Sequence, residues 1–120
     1  MNEKLKVLLI AVSEVTQIDI QVLRKKKADT HRIAYAKHIF CYVGFNKLKF
    51  RQQVIGDFIG LSQGRVCQVT DRSNFLRVNN QGNKEICKDV TKVEEKFEEL
   101  SENLRLGKII LWFEWTIYDG

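Results

Sequence analysis

The side chains best placed for chemistry are Arg65, Gln68 and Arg72, in the stretch "IGDFIGLSQGRVCQVTDR" from 55 to 72. If this segment is one helix, spacings of three and four put all three on one face. An arginine can donate two hydrogen bonds to guanine in the major groove of DNA, and a glutamine can pair in the same way with adenine. Ser62, Gln63 and Gly64 stand at the start of the same segment, where backbone amides and the helix dipole favour a phosphate. The chemistry expected is therefore recognition of duplex DNA. Arg65 and Gln68 read base edges, with Gln63 and Arg72 beside them.

Other chemistry is poorly supplied. His31 and His38 are the only histidines, and two helical turns separate them, too far for one metal ion. Cys41, Cys67 and Cys87 are odd in number and form no CxxC, so neither a zinc site nor a disulfide framework is expected. Reduced thiols suit a cytosolic compartment. Cys41 and Cys67 fall inside helical patterns, where small buried hydrophobes are expected. Asp57 and Asp71 have no nucleophile near them in the sequence. The chain is thus expected not to be an enzyme and to use no cofactor and no metal. "VLLIAV" at 7–12 is too short to span a bilayer, so no membrane association is expected.

A base-reading helix must be held by a second helix through a tight turn, which is the helix-turn-helix arrangement. "FRQQVIGDFIG" predicts the first helix, burying Phe50, Val54, Ile55 and Phe58. Gly60 supplies the turn, because glycine tolerates positive φ. Ser62 is a candidate cap for the second helix, which is expected to reach about Leu76 with Val66 and Val69 inward. Upstream, Leu5, Leu8, Leu9, Val12 and Val15 predict a helix over 3–16. Asp19 is placed to cap a short turn burying Ile20 and Leu23. Thr30 is placed to cap a helix with Ile33, Ala36, Ile39, Phe40 and Val43 inward, and Gly44 to stop it.

Downstream, "VNNQGN" at 78–83 predicts a loop or hairpin tip. From 84 to 106 the pattern is helical, and Val90, Val93, Phe97, Leu100 and Leu104 form a short heptad-like seam. The tail "KIILWFEWTIYDG" alternates and is rich in β-branched and aromatic residues, which predicts a strand. A strand needs a partner for its backbone groups. The fold class expected is mainly α: a helix-turn-helix bundle with an added long C-terminal helix and a terminal β-strand.

The charge is uneven. The chain carries +5 overall; residues 1–77 hold 14 Lys and Arg against 6 Asp and Glu, and residues 78–120 hold 6 against 9. A basic first part suggests a polyanion partner, which the acidic last part would not touch. The division expected is 1–77, a DNA-binding domain, and 78–120, an acidic helix plus apolar strand for dimerisation or partner binding. Phe97, Leu100, Leu104, Leu111, Trp112, Phe113 and Trp115 are the expected contacts of that second part.

The order of features resembles the C-terminal DNA-binding domain of the bacterial replication initiator DnaA, a helical fold similar to Trp repressor. The resemblance is carried by "VTQIDIQVLRKKK", "AKHIFCYV" and "QQVIGDFIG", within about residues 5–77. "IGDFIG" matches the family's "I-G-x-x-F-G" segment ahead of its recognition helix. The resemblance implies that Lys25, Lys26 and Lys27 approach phosphates or the minor groove, with Arg32 and Lys37 along the same DNA-facing edge. Such lysines set affinity and salt dependence but not sequence choice. Where the family carries an Asp-His-Ser/Thr-Thr run, this chain has "LSQGRV" and is one residue shorter, so a different target sequence is expected. No G-x-x-x-x-G-K-[ST] occurs, so the initiator's ATPase chemistry is not carried over.

Together these features predict a sequence-specific double-stranded DNA-binding protein, a transcriptional regulator or replication accessory factor. It would act as a homodimer, or with a protein partner held through the C-terminal strand. The compartment expected is the cytoplasm of a bacterial or phage-infected cell, in association with the nucleoid. The alternative is an adaptor of phage or mobile-element type, in which the C-terminal helix and strand dock a protein and the helix-turn-helix is scaffold.

Overall fold

The computed structural model describes residues 3–24, 30–78 and 83–106. In chain order the helices are α1 (Glu3–Thr16), α2 (Ile20–Arg24), α3 (His31–Asn46), α4 (Gln52–Ile59), α5 (Gln63–Thr70), α6 (Arg72–Val78) and α7 (Asn83–Arg105). Among the described residues the protein is a mainly α-helical bundle without a strand. The expected terminal strand, with Leu111, Trp112, Phe113 and Trp115, lies outside the described residues, as do residues 79–82 and the run Lys25, Lys26 and Lys27.

α1 occupies the span that its leucines predict. Leu5, Leu8, Leu9 and Val12 are buried, and so are Val7 and Ala11 on a second side. A helix buried over so much of its circumference needs more than one neighbour, and α1 packs against both α3 and α7. Its end is set by side chains. Thr16 Oγ1 donates to the Val12 carbonyl at 2.6 Å, and Ser13 Oγ donates to the Ile18 carbonyl at 2.5 Å. Asp19 then starts α2, accepting from the Gln21 amide at 2.8 Å, and α2 buries Leu23.

α3 begins where predicted, with Thr30 Oγ1 accepting from the Ile33 amide at 3.2 Å. It does not stop at Gly44. The helix continues to Asn46, and Gly44 lies buried inside it, where an added Cβ would stand 3.4 Å from Ile55 and 3.6 Å from Leu8. The expected stop is instead a site of close packing between α3, α4 and α1. Around the other side of α3, the Phe75 ring of α6 lies among Tyr35, His38 and Tyr42, with centroid separations of 6.0, 6.5 and 5.3 Å.

The apolar seam of α7 is used within the chain. Val93, Phe97 and Leu100 are buried in the same core as Leu5, Leu9 and Val12, and Val90 and Leu104 are half-buried against it. Phe97 and Leu100, expected as partner contacts, are thus buried in this chain's own core, while Leu104 is half-buried and lines an open cleft with Glu3, Lys4 and Val7 of α1. Burying side chains of this size stabilises by roughly 1.5–3 kcal/mol each, relative to leaving them exposed. Ion pairs edge the seam, Lys96 to Glu14 at 3.4 Å and Lys47 to Glu98 at 3.2 Å. These pairs are partly exposed and add little.

Candidate nucleic-acid interface

α4 and α5 are joined by three residues. The Gly60 and Leu61 amides both donate to the Gly56 carbonyl, at 2.8 and 2.9 Å, which closes the end of α4. Gly60 has φ 81 and ψ 32, a left-handed conformation that costs residues with a Cβ roughly 1–2 kcal/mol. Ser62 Oγ then accepts from the Arg65 amide at 3.2 Å and starts α5. Gln63, Gly64, Arg65, Cys67 and Gln68 are exposed, while Val66, Val69 and Thr70 are buried. The amphipathic register of α5 is therefore the one read from the sequence, except that Cys67 is on the solvent side.

Arg65 and Gln68 lie together. Arg65 Nη1 donates to Gln68 Oε1 at 3.4 Å, a weak contact that aligns a guanidinium and a carboxamide on one turn. Both remain open to solvent, and so do Ser62 and Gln63 at the helix start. The cluster offers forked donors and an amide along a two-turn helix, beside the first amides of that helix.

Arg72 does not share this face. α5 ends at Thr70, because its last residue is bound on three sides. Asn46 Nδ2 donates to the Thr70 carbonyl at 3.0 Å, Gln52 Nε2 donates to Thr70 Oγ1 at 3.2 Å, and Thr70 Oγ1 donates to the Cys67 carbonyl at 3.1 Å. Asp71 is extended, with φ −83 and ψ 129, and its carboxylate accepts from the Asn74 amide to start α6. The single helix expected to reach Leu76 is thus two helices, and Arg72 opens the second. It lines a cleft with Tyr42, Asn46 and Glu94.

Lys37 is also elsewhere. Its side chain is 0% exposed, so it does not lie on a DNA-facing edge. It occupies the inner side of α3, one turn before Cys41, whose thiol is pushed up by burial from 9.0 to about 12, partly offset by the Lys37 charge. Arg32 is exposed, but its guanidinium is engaged: Nη2 donates to the Thr16 carbonyl at 2.6 Å, at the C-terminal end of α1. It ties α3 to α1 and completes the carbonyl end of that helix.

Two further exposed cations, absent from the residues expected at the interface, stand close to α5. Lys49 and Arg51 precede α4, and the Gln52–Thr70 hydrogen bond sets the start of α4 beside the end of α5. Their signal in the sequence is the alternation Lys47, Lys49, Arg51 ahead of "QQVIGDFIG". Lys47 is engaged with Glu94 and Glu98 of α7, while Lys49 and Arg51 enter no ion pair among the described residues. Among the described residues, no cluster of three or more His, Cys, Asp and Glu side chains suits a metal ion, and no helix is long and apolar enough to cross a membrane. Comparison with protein-family models, with curated proteins and with solved structures finds no match for the chain.

Proposed function

We propose that this chain is a sequence-specific double-stranded DNA-binding protein, a transcriptional regulator or replication accessory factor, in which α4 and α5 form a helix-turn-helix of the DnaA C-terminal-domain type. The observation that carries the reading is the outer face of α5. Arg65 and Gln68 are paired and exposed there, directly after a capped start, while Val66 and Val69 anchor the opposite face in the core. In such motifs the N-terminal residues of the second helix meet base edges, and these are the two side-chain types best suited to guanine and adenine. Lys49 and Arg51 supply phosphate contacts at the far end of α5. Lys25, Lys26 and Lys27 keep the role that the resemblance implies for them.

As a nucleoid-associated cytoplasmic protein it would contact two half-sites through a homodimer, about one DNA turn apart. The pairing surface for that dimer is assigned to residues 107–120, since the α7 seam is taken by α1. The adaptor reading relies on the same segment.

A selection of bound duplexes from a random pool tests the reading, followed by titration of the selected and a scrambled duplex. Wild type is expected to prefer the selected duplex, and Arg65→Ala/Gln68→Ala to lose that preference while keeping most of its nonspecific affinity. Absence of binding to any duplex at low salt would overturn the proposal.

A further inference from the structure

We propose that the cleft between the first turn of α1 and the last turns of α7 is the docking site of this chain's own C-terminal segment, residues 107–120. The cleft has a volume of about 580 Å³, and Val7, Phe97 and Leu104 give it an apolar lining. Val7 and Phe97 are buried, but Leu104 is only half-buried, so the α1–α7 seam is open at this end. Glu3 and Lys4 bring the start of α1 to one wall, and Arg105 of α7 stands at the other. The helix runs out beside the cleft: the Leu106 amide donates to the Glu102 carbonyl at 3.0 Å, and Leu106 is 53% exposed.

Position selects the occupant. Leu104 and Arg105 line the cleft, and the chain continues for 14 residues beyond Leu106. The next residue is Gly107, the residue type that most readily turns a chain back at the end of a helix. Along α7, Phe97 to Arg105 rises roughly 12 Å, which about four extended residues would span, so the segment is long enough to cover the cleft. Its alternation supplies one wholly apolar set, Ile109, Leu111, Phe113, Trp115 and Ile117, and an apolar surface of that extent needs cover. A segment joined directly to its site meets it at an effective concentration of about millimolar, which favours the chain's own copy over a second one. A strand laid down by one face keeps its backbone edge open. The pairing assigned to this segment is therefore compatible with the docking, and the docking does not rest on the DNA reading.

Trp112 and Trp115 are the only tryptophans of the chain, so the fluorescence of the full-length protein reports on this segment. Trp112→Phe leaves Trp115, a member of the apolar set, as the sole reporter. Its emission is expected to be blue-shifted and protected from acrylamide, and neither property should change on dilution. Leu104→Lys in this background should shift the emission to the red and raise the quenching, with circular dichroism reporting that the helices remain. Emission of a water-exposed indole before that substitution, no red shift after it in a folded protein, or a red shift on dilution would each overturn the docking; the last would place the segment on a second copy. A second measurement leaves the helices untouched. Amide NMR of full-length Phe113→Lys should show shifts at Lys4 and Val7, which are remote from position 113 along the chain, and unchanged amides there would equally overturn the docking. No DNA enters these measurements, so their failure is separable from failure of the DNA reading.

Discussion

The Leu61 carbonyl oxygen lies 2.5 Å from the position a Cβ on Gly56 would occupy. The turn between α4 and α5 is therefore closed directly onto the helix it leaves. Val66 of α5 comes within 3.3 Å of the same point, so the absence of one side chain lets turn and second helix approach together. Gly60 contributes differently, through its positive φ of 81. Gly64, with nothing within 4 Å of an added Cβ, has neither constraint.

The three glycines should accordingly separate on substitution. Gly56→Ala forces backbone displacement and is expected to cost about 1–3 kcal/mol or more, and Gly60→Ala about 1–2 kcal/mol. Gly64→Ala, in an exposed helical turn, should be neutral or stabilise by up to about 1 kcal/mol. Urea denaturation of the three variants measures this, and a Gly56→Ala protein as stable as wild type would show that the turn has room to yield.

The salt dependence of DNA binding should distinguish the cations. Lys49→Gln/Arg51→Gln is expected to reduce the slope of log affinity against log salt by about two, one for each phosphate left without its cation. Lys37→Met should leave that slope unchanged, because the side chain is fully buried. Equal slopes for wild type and the Lys49/Arg51 variant would remove these two residues from the interface.

Phe97 should act on folding and not on assembly. Phe97→Ala opens the α1–α7 contact and is expected to cost about 3–5 kcal/mol, with the concentration dependence of its melting unchanged from wild type. A concentration dependence of melting that is present in wild type and lost in this variant would return the seam to an intermolecular role.

The cysteines should differ in reactivity. Cys67 is exposed and Cys41 buried, so iodoacetamide at neutral pH should label Cys67 in the native protein and Cys41 only on unfolding, as peptide mass mapping would read. Burial raises the Cys41 value from 9.0 to about 12. The folded state therefore keeps this thiol protonated where the unfolded chain would ionise it. Its contribution to stability is complete below about pH 9 and is lost as pH rises from there toward 12. Cys41→Ala should flatten the alkaline fall in stability; an unchanged alkaline limb would assign that fall to other groups.

Much of this architecture is set by rules acting over one or two helical turns, and these are legible in the sequence. The apolar period of α1 and α7, the Asp19, Thr30 and Ser62 starts, the left-handed Gly60 and the inward Val66 and Val69 all follow from local spacing and short side-chain reach. The register of α4 is legible only in part, since Val54 is 41% exposed while Ile59 is buried. What the sequence alone could not decide depends on groups distant along the chain. α5 stops at Thr70 because Asn46 and Gln52, 24 and 18 positions away, hold that residue. That stop carries Arg72 off the Arg65 face. Lys37 is inside because the elements packed around α3 enclose it, whatever its charge would suggest for an isolated helix. The α7 seam fits a partner or its own chain equally well by periodicity, and only the path that brings α1 beside it determines which surface it covers.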